Sequence, residues 1–62
     1  MNNLLHKKYY KVVNTLDIPD SRKPVTESNL KWFLRNGAIT NMSNANCQEA
    51  IYLAKQILRE NF

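Results

Sequence analysis

Between positions 46 and 62, apolar side chains recur at helical spacing: Cys47, Ala50, Ile51, Ala54, Ile57 and Leu58, with Leu53 and Phe62 at the margins. A helix turning about 100° per residue gathers that set on one side. Gln48, Tyr52, Lys55, Gln56 and Arg59 then face outwards. Asn46 and Glu49 have the spacing of a capping box with asparagine in the capping role, and Ser43 or Asn44 offers a start one turn earlier. The pattern predicts a helix over about 46–61 as the spine of the fold, whose apolar stripe the rest of the chain must cover.

In 62 residues the means of covering it are few. Cys47 is the one cysteine, which excludes an internal disulfide, and His6 is the one histidine, so no structural zinc set can be assembled. Without such staples a core of this size rarely contributes more than ~3 to 5 kcal/mol. A single small helical domain over residues 1–62 is expected. Close helix packing and self-association remain as aids, so that domain is stable either alone or only as a homodimer.

Two further helices complete the expected fold. Over about 3–16, Leu5, Tyr9, Val12, Val13 and Leu16 fall within one half of a helical projection, with Lys7, Lys11 and Asn14 opposite. Tyr9, Tyr10, Val12, Val13 and Thr15 are also good strand residues. Pro19 and Pro24 forbid a continuous helix through 17–25, which reads as a loop. Over about 27–36, Thr26 supplies an N-cap and Glu27 a first-turn carboxylate. Gly37 is expected to close this helix in the left-handed C′ conformation. Leu30, Phe33 and Leu34 form its stripe, and Trp32 projects away from them. Asn36 and Gly37 also spell a tight hairpin turn, so a β-hairpin at 31–42 packed on helices is the competing fold.

No arrangement of residues prescribes a chemistry. Asp17, Asp20, Glu27, Glu49 and Glu60 are scattered, Gly37 is the sole glycine, and Cys47 reads as a small buried core residue, so neither an enzyme nor a bound cofactor or metal is expected. No uninterrupted apolar run approaches the ~20 residues of a membrane span. Met1 to Leu5 lead into His6, Lys7 and Lys8 rather than the apolar run of a secretory leader. A lone thiol suits a reducing compartment, so a cytoplasmic protein is expected, in the host cytoplasm if the genome is viral. Nine asparagines fit an AT-rich genome such as that of a phage or mobile element. Those among residues 38–46 are expected to serve local turns and caps.

Nine basic residues against five acidic give a net charge of +4, and three places interleave cations with aromatic rings. They are Lys7, Lys8, Tyr10 and Lys11 near the start, Lys31, Trp32 and Arg35 in the middle, and Tyr52, Lys55 and Arg59 on the last helix. Rows of this kind can meet phosphates and stack on bases, and equally they compose ordinary solvated helix faces. For Trp32, burial under the first helix or the following loop is the first expectation and a binding anchor the second. A connection of residues 37–44 is longer than the three or four residues usual in a helix-turn-helix, which argues against operator binding of that type. A nucleic-acid-binding accessory or regulatory protein, acting on DNA or RNA through Lys7, Lys8, Lys11, Arg22, Lys23, Lys31, Arg35, Lys55 and Arg59 as an electrostatic footprint, is the leading functional expectation. The alternative is an adaptor or inhibitor that binds a larger protein through Trp32, Tyr10 and Tyr52.

Overall fold

The computed structural model describes residues 3–61 and the side chains of 4–60. The expectation that Phe62 flanks the last stripe lies outside the described residues. The first helix, α1 (Asn3–Val13), packs extensively on the last, α4 (Cys47–Asn61). Between them runs a helical rod of three stretches, α2 (Glu27–Trp32), a π segment (Phe33–Gly37) and the short α3 (Ala38–Thr40). Three helical bodies around one core are the fold expected from the periodicities. No strand occurs among the described residues, so the hairpin at 31–42 does not form.

The core is Tyr9 and Val13 from α1, Leu16 and Ile18 from the loop, Leu30, Phe33 and Ala38 from the rod, and Cys47, Ala50, Leu53, Ala54 and Ile57 from α4. Tyr9 and Phe33 meet edge to face, with ring centroids 5.9 Å apart and planes at 83°, the arrangement that aromatic quadrupoles favour. On α4 the buried arc differs from the projection: Leu53 is buried, whereas Ile51 and Leu58 are half-buried. Both α1 and α2 lie against α4, and covering it from two sides brings Leu53 into the arc.

α1 stops three residues before the expected end. At Thr15 and Leu16 the backbone bonds tighten to the carbonyls of Val12 and Val13, and Thr15 Oγ1 donates to the Val12 carbonyl at 2.6 Å, a side-chain bond that competes with helix continuation. Thr26 caps α2 as expected, its Oγ1 accepting from Asn29 N at 3.1 Å.

Gly37 does not end the helix. Its φ of −63° and ψ of −38° are right-handed helical, and the rod continues through it to Thr40. Its reason is space: a Cβ there would lie 2.8 Å from Phe33 Cδ1, 2.9 Å from Ile18 Cδ1 and 3.1 Å from Trp32 Cζ3. The bare backbone lets the loop side chain of Ile18 and the indole of Trp32 settle against the rod. The π turn, marked by the Ala38 N–H donating to the Phe33 carbonyl, lies at the same place.

The asparagines of the 41–46 connection act over long range rather than locally alone. Asn41 is buried; its Nδ2 donates to the Gly37 carbonyl at 2.8 Å, and its Oδ1 accepts from Asp17 N at 2.8 Å. Asn44 Nδ2 donates to the Thr15 carbonyl at 3.3 Å and Asn46 Nδ2 to Thr15 Oγ1 at 3.1 Å. These bonds fasten the end of α1 and the following loop to the start of α4, which makes α1 and α4 antiparallel.

Candidate functional site

Fastening of the loop decides where Arg22 stands. Buried Ile18 packs over Gly37, and a single 3₁₀ turn (Asp20–Arg22) follows, closed by Arg22 N donating to the Pro19 carbonyl at 2.9 Å. Lys23 and Asp20 pair at 2.9 Å across this turn. Hydrogen bonding from Lys23 and its charge hold the Asp20 carboxyl below the ordinary value. The Arg22 guanidinium is thereby carried to 5.2 Å from the centroid of the Trp32 ring, within range of a cation–π contact.

Arg22 and Trp32 form part of an open groove of 620 Å³ completed by Glu27, Ser28, Lys31, Arg35 and Asn36. Apart from Arg22, the lining residues fall into two rows, 27–31–35 and 28–32–36, each spaced by four along the rod. A helix sets such rows on one face. Lys31 Nζ lies 2.9 Å from Glu27 Oε2, and both side chains are about half exposed, so this is a solvent-screened pair. Asn36 Nδ2 donates to the Trp32 carbonyl at 3.4 Å. Arg22, Lys31 and Arg35 against Glu27 leave the groove with an excess of positive charge.

The structure brings together Lys31, Trp32, Arg35 and Asn36, as their sequence proximity implied, sets Arg22 of the basic footprint beside them, and adds Glu27 and Ser28. Helical spacing from Trp32 points back to Ser28 and from Lys31 to Glu27. No local signal points to Arg22, which reaches the ring only because the loop folds over the rod. Trp32 is half-buried, packed against the core, with Arg22 of the preceding loop over its ring.

The other expected residues lie elsewhere. Lys7, Lys8, Tyr10 and Lys11 are exposed on α1, and Tyr52, Lys55 and Arg59 are exposed on α4. Neither group lines the Trp32 groove. Gln56 Nε2 donates to the Tyr52 hydroxyl at 2.8 Å, fixing that ring along the helix. Cys47 is buried with its thiol donating to the Ala38 carbonyl at 3.5 Å.

Among the described residues no helix is long and apolar enough to cross a membrane, and no three His, Cys, Asp or Glu side chains converge to hold a metal ion. Comparison with protein-family models, curated proteins and solved structures finds no match, so the groove is read from its own chemistry.

Proposed function

We propose that the chain is a nucleic-acid-binding accessory or regulatory protein, without catalysis of its own, and that the Trp32 groove is its contact surface. The observation that carries this reading is the convergence of one indole and three cations, Arg22, Lys31 and Arg35, around a single concavity. Phosphates reward cations through counterion release, and bases reward an aromatic face. Tyr10 and Tyr52 also stand near cations on α1 and α4, but neither ring lines the groove.

Anisotropy titrations of labelled DNA and RNA at several salt concentrations test the reading. Binding is expected to weaken with salt, with a log–log slope of about −2 on single strands for three phosphate contacts. Lys31→Gln with Arg35→Gln should flatten that slope, while Lys7→Gln with Lys11→Gln on α1 should alter it less. Glu27→Gln releases Lys31 from its carboxylate partner and is expected to raise affinity a few-fold. Absence of binding to any strand at low salt and micromolar protein would overturn the reading.

A further inference from the structure

We infer that the groove takes single-stranded nucleic acid by exchange at the Trp32 ring, with a base replacing the Arg22 guanidinium on the indole and Arg22 turning to a backbone phosphate. This rests on the nucleic-acid reading above and names the form of the ligand and the order of contacts.

The geometry supplies three reasons. First, a face of the ring already draws a partner: Arg22 lies over it at 5.2 Å, and aromatic faces of this kind are where unstacked bases stack. Second, the partner is displaceable. No carboxylate pairs with Arg22 among the described residues, and the cation–π contact of a half-exposed pair is weak. A stacked base contributes as much or more, and the released guanidinium gains a phosphate. Third, the ring is seated: Trp32 is half-buried and packed on the core, and a Cβ at Gly37 would come within 3.1 Å of its Cζ3. A duplex keeps its bases stacked on one another and offers the groove its phosphates only, whereas a single strand can present a base to Trp32 while Lys31 and Arg35, one turn apart, meet its flanking phosphates.

Trp32 is the single tryptophan of the chain, so indole emission reports on this ring alone. The 62-residue chain is titrated at low salt with an oligothymidylate of about ten nucleotides, an abasic strand of equal length, and a duplex. The expected result is quenching of Trp32 emission by oligothymidylate, no quenching by the abasic strand or the duplex, and affinity for oligothymidylate about tenfold above that for the abasic strand.

Arg22→Gln leaves the ring in place and should retain quenching while the salt slope falls by about 0.7. Trp32→Ala, checked for helicity by circular dichroism, should bind thymidylate and abasic strands equally. If that variant does not fold, Arg22→Gln and the abasic comparison still decide the matter. Binding of thymidylate without quenching, equal affinity for the abasic strand, or loss of quenching in Arg22→Gln overturns the exchange and leaves the nucleic-acid reading standing. Failure of all three probes, and of single-stranded RNA, to bind overturns both.

Discussion

The side-chain amide of Asn41 closes on both backbone groups of Asp17, its Oδ1 accepting from Asp17 N at 2.8 Å and its Nδ2 donating to the Asp17 carbonyl at 3.2 Å. One buried side chain thus ties the loop after α1 to the end of the rod, and Ile18 and Arg22 take their places from that tie. Removing it gives up three hydrogen bonds, to the two backbone groups of Asp17 and to the Gly37 carbonyl, each worth about 1 kcal/mol net. Asn41→Ala is expected to lower stability by about 2 to 3 kcal/mol. Denaturant unfolding followed by far-ultraviolet circular dichroism measures this, and a loss below about 0.5 kcal/mol would show that the clamp is not needed. Trp32 emission should also change in the folded fraction, because Arg22 loses its seat.

Gly37→Ala sets two effects against each other. Alanine is favoured over glycine in a helix interior by about 1 kcal/mol. The new methyl would stand 2.8 Å from the ring of Phe33, which is buried, and 2.9 Å from Ile18 Cδ1. Ile18 can yield at its flexible tip, but the phenyl ring can move only by disturbing Tyr9. Overpacking of this kind costs about 1 to 3 kcal/mol, so net destabilisation is expected. Thermal unfolding of the variant would contradict the packing account if its midpoint rose.

Tyr9 makes stability depend on alkaline pH. Burial pushes its phenol above the ordinary value of 10.0, because the charged phenolate is poorly solvated in the core. Below pH 10 folded and unfolded chains both keep the proton and the contribution is fully present. Above it the unfolded chain ionises while the folded chain does not, so stability falls as pH rises toward the folded value. Between about pH 10 and pH 11 the wild type should lose roughly 1 kcal/mol more than Tyr9→Phe. Urea midpoints of the two proteins near pH 8 and pH 11 give the comparison. Lysine titration is common to both and cancels, and parallel loss in the two proteins would refute the assignment to Tyr9.

The local signals read correctly are those whose physics is local. The stripe of α4, the Thr26 cap and the breaks at Pro19 and Pro24 depend on residues within a turn or two of one another, and each appears in the structure. Lys31, Trp32 and Arg35 were legible as a cluster for the same reason. A glycine after an apolar stripe has two uses, a left-handed cap or a close approach, and at Gly37 only the positions of Ile18 and Trp32 select the second. Asn41, Asn44 and Asn46 carry only turn and cap signals in the sequence, because their partners, Asp17 and Thr15, lie 24 to 31 residues away.

By itself, then, the sequence determined three helices and a core without staples, since periodicity and capping act through neighbours on one helix. Tertiary structure alone decided that the rod passes through Gly37 and that the loop folds over it. That fold sets Arg22 on Trp32, a contact between residues ten positions apart that no helical repeat connects.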